Sequence, residues 1–111
     1  MAEKVIHWLG SSLEDLRAFP EQARRAAGYQ LSRVQQGLMP SDWKPMKAVG
    51  AGVYEIRIHT GTEHRVFYVA KYDDGIYVLH TFEKRTRQTR QTDISLARQR
   101  LAELLELRRH R

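Results

Sequence analysis

The chain has 111 residues and no cysteine, and 19 lysine and arginine residues against 13 aspartate and glutamate residues give a formal net charge of +6. This length fits one domain, 1–111, and the lack of cysteine excludes disulfides, thiol catalysis and cysteine-ligated zinc. The basic excess favours an anionic partner. No apolar run could cross a membrane and residues 1–10 do not resemble a signal peptide, so we expect a cytoplasmic protein without a membrane partner.

The first third of the chain predicts one strand and two helices. Residues 5–9 are typical of a short strand. Ser11 followed by Glu14 has the spacing of a capping box, which predicts the start of a helix. A second helix is predicted to begin at Pro20, to carry an apolar stripe at helical spacing and to end at a glycine cap, Gly37. We expect the two helices to form an antiparallel hairpin.

Three strands are predicted in the middle of the chain, after a loop-like segment over residues 39–52. The first, over residues 53–59, alternates, with one apolar face (Tyr54, Ile56 and Ile58) and one polar face (Glu55, Arg57 and His59). Turn signals at residues 60–62 and 73–75 separate two further strands, over residues 64–72 and 76–82. These three strands predict an antiparallel meander.

Most of the positive charge lies at the end of the chain, where residues 82–111 hold nine basic and four acidic side chains. Residues 84–90 form a predicted loop rich in cations, which favours anion binding. Asp93 is the predicted cap of a final amphipathic helix. The element order predicts an α+β fold, a small antiparallel meander sheet with the helices, a two-helix hairpin and a C-terminal helix, packed on one face.

The polar face of the meander predicts metal-free cleavage of RNA. This reaction needs a base for the 2′-hydroxyl proton, an acid for the leaving 5′-oxygen, and cations that stabilise the phosphorane, a role that suits arginine. The catalytic candidates are Arg65, Arg57, His80 and Glu55. We expect no metal and no cofactor, because no third ligand accompanies the two histidines, His59 and His64, that flank one turn.

Each candidate also has a purely structural interpretation. Arg57 and Arg65 could simply pair with Glu55 and Glu63 on the strands. His80 lies in an apolar run and could be a hydrogen-bonded core histidine. The sequence leaves these alternatives open.

Several short motifs occur together in this chain: residues 8–12, 15–16, 44–47, 52–57, 65–69 and 78–85. The last contains a His-x-Phe-x-Lys-Arg pattern, made by His80, Phe82, Lys84 and Arg85. With these motifs the chain resembles the phage-derived Gp49-like, or HigB-like, toxins of the RelE/ParE superfamily of type II toxin–antitoxin systems. The resemblance covers nearly the whole chain.

The resemblance implies a toxin that blocks translation as a ribosome-dependent, metal-independent mRNA endoribonuclease, or mRNA interferase. Its partners would be mRNA, the ribosome and a cognate helix-turn-helix antitoxin. Glu55 stands where some relatives have a base, and Gln91 and Thr92 stand where several have a tyrosine, so the acid and base stay unassigned. Together with the basic loop, the resemblance gives five RNA-binding candidates: Lys47, Lys84, Arg85, Arg87 and Arg90.

Two other functions fit the same sequence. The superfamily includes ParE-like toxins that inhibit DNA gyrase and cut no RNA, and fold alone does not separate them from nucleases. A non-enzymatic RNA-binding module would also be expected to carry a net positive charge.

Overall fold

The structure, a computed structural model, describes residues 3–110 of the chain. Their order is β1 (Ile6–Trp8), α1 (Ser12–Arg17), α2 (Glu21–Gln35), β2 (Trp43–Pro45), β3 (Val53–His59), β4 (Glu63–Tyr72), β5 (Gly75–Glu83) and α3 (Gln91–Arg109). The predicted α+β class, the meander and the C-terminal helix are confirmed. Residues 1, 2 and 111 of the predicted domain lie outside the described residues.

The five described strands form one mixed sheet in the order β1-β5-β4-β3-β2. Strands β2 to β5 are antiparallel, whereas β1 runs parallel to β5, with Ile6 opposite Ile76. The predicted antiparallel sheet is therefore wrong at β1. The helices α1 and α2 connect β1 to the far edge of the sheet. The three connections between β2, β3, β4 and β5 then bring β5 beside β1 in the same direction.

Helices cover both faces of the sheet, so the prediction that they pack on one face is wrong. Residues of α1 and α2 share a core with Ile76 and Val78 of β5, whereas α3 shares a second core with Tyr77 and Leu79. The reason lies in β5, which is apolar on both faces and therefore needs cover on both.

Of the three predicted helix caps, the positions of Ser11 and Gly37 are confirmed and that of Asp93 is wrong. Ser11 is the N-cap residue of α1, but its hydroxyl donates to Asp15 Oδ2 at 2.8 Å and not to a backbone N–H of the helix. Helix α3 begins with Arg90 as its N-cap residue, and Asp93 lies one turn inside it. Gly37 follows the end of α2 with φ of +84°, as a C-terminal glycine cap requires.

The segment 39–52, predicted as loop, contributes the short edge strand β2. Trp43, Lys44 and Pro45 pair with β3, and a proline is compatible with an edge strand because its missing N–H faces away from the ladder. This strand adds a fourth chain segment to the polar face of the meander.

A buried arginine fastens α3 to the rest of the fold. Arg100 donates from Nη1 to the carbonyl of Leu79 at 2.9 Å and from Nη2 to the hydroxyl of Ser11 at 3.0 Å. Gly10 lies beside this guanidinium with φ of +54°, and a Cβ at that position would lie 2.5 Å from Arg100 Nε. Both the backbone conformation and the space therefore require glycine.

We expect Gly10→Ala to lower the free energy of unfolding by about 2 kcal/mol or more, because it adds a steric clash to the strain of a left-handed backbone. Urea denaturation measures the change. Gly61→Ala is the matched control, since Gly61 has φ of +91° and open space around its Cβ position. If both variants lose the same stability, the contact with Arg100 contributes nothing.

Candidate functional site

Cross-strand pairing places charged side chains side by side on the sheet face that α3 covers in part. Glu55 and Arg57 share this face with Val53, which belongs to the core under α3. Lys44 of β2 lies opposite Glu55, and Arg65 of β4 lies opposite Arg57. Directly opposed residues have Cβ atoms about 4.5–5.5 Å apart, so these four side chains form one group.

The Glu55 carboxylate lies at the centre of this group and is almost fully buried. Its Oε2 is 3.8 Å from Arg65 Nε, and its Oε1 is 4.0 Å from Lys44 Nζ. Both distances are those of ion pairs and exceed a hydrogen bond. Among the described residues, the buried Glu55 Oε1 has no hydrogen-bond partner.

The two arginines of the group offer unused donors. Arg65 is 2% exposed; its Nη1 donates to the carbonyl of His64 at 2.9 Å, and its Nη2 lies 3.1 Å from Glu63 Oε1. The buried Nε atoms of Arg57 and Arg65 have no hydrogen-bond partner among the described residues. Since buried polar groups are normally paired, these N–H groups are suited to a polar ligand.

Lys84 brings a fourth cation to the group from the end of β5. Its ammonium donates to the carbonyl of Arg87 at 2.9 Å. Desolvation lowers the pKa of Lys84, the charge of Arg65 lowers it further, and Glu55 opposes this effect. Besides desolvation, the lowered pKa thus reflects repulsion between Lys84 and the other positive charges of the group. We define the cationic cluster as the four cations that surround Glu55: Lys44, Arg57, Arg65 and Lys84.

Lys44 was missing from the sequence candidates, which named Lys47 instead. Lys47 is exposed and lines a separate surface groove with Pro45 and residues 50–54. A three-residue strand is too short to show a period of two, so the register that places Lys44 opposite Glu55 had no signal in the sequence.

His80 lies behind aromatic rings rather than in the cationic cluster. Its ring stacks on Phe82 at 4.7 Å and meets Phe67 edge-on, and Phe67 occupies the strand between Glu55 and His80. His80 Nε2 lies 2.7 Å from Asp93 Oδ1, while its Nδ1 is buried. Desolvation lowers the pKa of His80, and the hydrogen bond to Asp93 opposes this effect.

We expect Asp93→Ala to lower the free energy of unfolding by about 1–3 kcal/mol, because it leaves the buried His80 without its partner. Urea denaturation measures the loss. The control is Gln91→Ala, an exposed change in the same helical turn, which we expect to stay within about 0.5 kcal/mol of the wild type. An equal effect of both variants would contradict a structural role for the pair.

The other three basic-loop candidates are exposed. Arg85 lies 3.2 Å from the Glu83 carboxylate, Arg87 receives the Lys84 hydrogen bond through its carbonyl, and Arg90 is the N-cap residue of α3. The loop that carries them begins at Lys84 of the cationic cluster. Their role in RNA binding stays a prediction, as does that of Lys47.

Two absences are established for residues 3–110. No group of three or more histidine, cysteine, aspartate or glutamate side chains in this range is placed to hold a metal ion. No helix in the same range is long and apolar enough to span a bilayer.

The fold is that of a small α+β protein, and the cationic cluster lies on one face of its sheet. The model of the phage-derived Gp49-like protein family (DUF891) matches residues 14–102. This chain therefore belongs to the Gp49-like family, which confirms the resemblance seen in the sequence. The family is phage-derived and associated with toxin–antitoxin systems, which points to an antitoxin partner. The chain has no significant match among curated proteins.

Proposed function

We propose that this protein is the toxin of a type II toxin–antitoxin system and acts as a ribosome-dependent, metal-independent endoribonuclease on mRNA. The observation that carries the proposal is the cationic cluster, in which side chains from three strands and the end of a fourth converge on one buried carboxylate. Four positive charges against the carboxylates of Glu55 and Glu63 leave a net attraction for a phosphodiester. The unused N–H groups of Arg57 and Arg65 suit its non-bridging oxygens.

The proposed reaction is attack of the 2′-oxygen on the adjacent phosphorus, which breaks the bond from phosphorus to the 5′-oxygen. Glu55 takes the 2′-hydroxyl proton, and Lys84 gives a proton to the leaving 5′-oxygen. The lowered pKa of Lys84 makes its ammonium a better acid than an ordinary lysine. The products are a 2′,3′-cyclic phosphate and a 5′-hydroxyl end. Arg57 and Arg65 stabilise the phosphorane charge between these steps.

His80 is the alternative proton carrier of the proposal. It would have to exchange its bond to Asp93 for one to the RNA, because its Nδ1 is buried and its Nε2 contacts Asp93. His80 Nδ1 and Glu55 Oε1 are both buried without a partner, but Glu55 lies among the cations of the cluster, whereas Phe67 lies between His80 and Glu55. We therefore assign the base to Glu55.

The test is induced expression in a bacterial host, followed by primer extension on abundant mRNAs and a reporter for DNA damage. We expect growth arrest with new 5′ ends inside translated regions and no DNA damage response. Arg65→Ala should abolish both effects, whereas Arg24→Ala, the loss of an exposed arginine of α2, should preserve them.

Two outcomes would overturn the proposal. Growth arrest with intact mRNA and a DNA damage response would indicate gyrase inhibition instead. Folded, soluble protein that binds RNA in a salt-dependent manner but neither arrests growth nor cleaves mRNA would indicate a binding module.

A further inference from the structure

Next to the cationic cluster, the end of the β3–β4 hairpin carries a histidine held between two carboxylates. His59 Nδ1 lies 2.7 Å from Glu63 Oε1, and His59 Nε2 lies 2.6 Å from Asp42 Oδ2. A carboxylate only accepts hydrogen bonds, so both ring nitrogens must donate, and both donate only in the imidazolium form. The hydrogen bond to Asp42 and, after it, that to Glu63 raise the pKa of His59.

The same glutamate links this histidine to the cluster. Glu63 Oε1 contacts both His59 Nδ1 and Arg65 Nη2, the latter at 3.1 Å. Asp42, on the other side of His59, is also fixed in position, because the backbone N–H of Arg57 donates to the backbone carbonyl of Asp42 at 2.9 Å. The Glu63 carboxylate therefore bridges His59 and the buried guanidinium of Arg65.

We propose that His59 is a positioning residue: as an imidazolium bridging Asp42 and Glu63, it orients Arg65 through Glu63 and thereby raises the affinity of the cationic cluster for an RNA phosphate. The inference rests on the proposed function, because it takes the cationic cluster as the RNA site. His59 itself touches no phosphate.

Electrostatics fixes the sign of the effect. The charged groups that face His59 are Asp42, from the segment before β2, and Glu63 of β4; Arg65 is reached only through Glu63. While His59 is positive, it compensates the Glu63 carboxylate, so Glu63 neutralises little of the charge on Arg65. When His59 loses its proton, one of its two hydrogen bonds is lost, and Glu63 then acts on Arg65 alone. RNA affinity should therefore fall as the pH rises through the raised pKa of His59.

The first experiment measures the geometry of Arg65 without RNA. Nitrogen-15 NMR of the full chain follows the guanidinium of Arg65 and the ring of His59 from about pH 5.5 to 9. We expect separate, slowly exchanging Nη signals of Arg65 while His59 is protonated, and their averaging once it is neutral. Arg65 signals that do not change as His59 titrates would overturn the inference.

The second experiment measures the affinity for a short RNA oligonucleotide by fluorescence anisotropy over the same pH range. His59 is about half exposed, so we expect its proton to change the affinity by about two- to fivefold. In His59→Gln this step should vanish, with the affinity fixed at the lower level. His59→Arg keeps the positive charge, so it should hold the higher level at every pH.

A matched control lies on α3. His110 Nε2 contacts Glu106 Oε1 at 2.8 Å, so it is also an exposed histidine paired with a carboxylate, and His110→Gln should leave the pH step intact. The lowered pKa of Lys84 is common to the wild type and the His59 variants, so any contribution from Lys84 cancels in their comparison.

The two hypotheses fail separately. If wild type and His59→Gln bind RNA with the same pH profile, the role of His59 is wrong and the RNA site stands. If wild-type protein binds no RNA at any pH, the proposed function fails, and with it this role of His59, whatever the NMR shows about Arg65.

Discussion

Arg65→Lys is expected to lower the rate of mRNA cleavage by about 100-fold or more while the protein stays folded. The lysine keeps the buried positive charge beside Glu55 and Glu63, so the fold does not face an unpaired carboxylate. It cannot reproduce the planar fork, whose Nη atoms contact His64 and Glu63 while its Nε–H stays available. The loss of cleavage rate therefore measures the contribution of the directed hydrogen-bond donors of Arg65 and not that of its charge.

The measurement is cleavage of mRNA in a purified translation system, with circular dichroism to confirm the fold of each variant. Arg24→Lys makes the same exchange at an exposed position of α2 and should keep the wild-type rate. A folded Arg65→Lys protein that cleaves at the wild-type rate would remove Arg65 from the site.

Glu55→Gln is expected to produce the second large loss, a fall in cleavage rate of about 10²- to 10⁴-fold. The amide has nearly the same shape as the carboxylate but cannot take the 2′-hydroxyl proton. It also removes the negative charge among Lys44, Arg65 and their neighbours, so the affinity for RNA should stay equal or rise. Cleavage and binding thus change independently.

The corresponding measurements are single-turnover cleavage and anisotropy binding on the same protein samples. Glu103→Gln, an exposed charge change on α3, is the control and should alter neither quantity. A variant that binds RNA more weakly and still cleaves bound RNA at the wild-type rate would show that Glu55 only organises the cations.

The local pattern of β3 was sufficient to predict the polar face of the site. A strand has a period of two, so the alternation of residues 53–59 placed Glu55 and Arg57 together. In the structure, the short turn at residues 60–62 sets Arg65 opposite Arg57. Both relations depend on residues close in sequence. The turn positions at residues 60–62 and 73–75 were predicted for the same reason.

Relations between distant segments were not predictable in this way. An amphipathic stripe shows that α3 is packed but not which face of the sheet it covers. The ladder of β1 with β5 joins segments about 70 residues apart, and their direction depends on the whole path between them. The sequence predicted Asp93 as a helix cap. It could not show that Asp93 pairs with His80, because this contact depends on how α3 packs on the sheet.

The contacts that link Asp42, His59, Glu63 and Arg65 were unpredictable for the same reason. Asp42 lies 17 residues before His59, in a segment that the sequence presented as loop. Its pairing with His59 follows from the register of β2, which three residues cannot reveal.

The central claim is that the cationic cluster cleaves mRNA on the ribosome through the 2′-hydroxyl. Its most direct test uses purified protein, a chelator and ribosomes programmed with one mRNA, whose cleavage position is mapped first by primer extension. The mRNA is then prepared with a single 2′-deoxy nucleotide at that position. We predict cleavage of the all-ribose mRNA to a 2′,3′-cyclic phosphate and no cleavage at the deoxy position. Cleavage at the deoxy position, or intact mRNA in both cases, would contradict the claim.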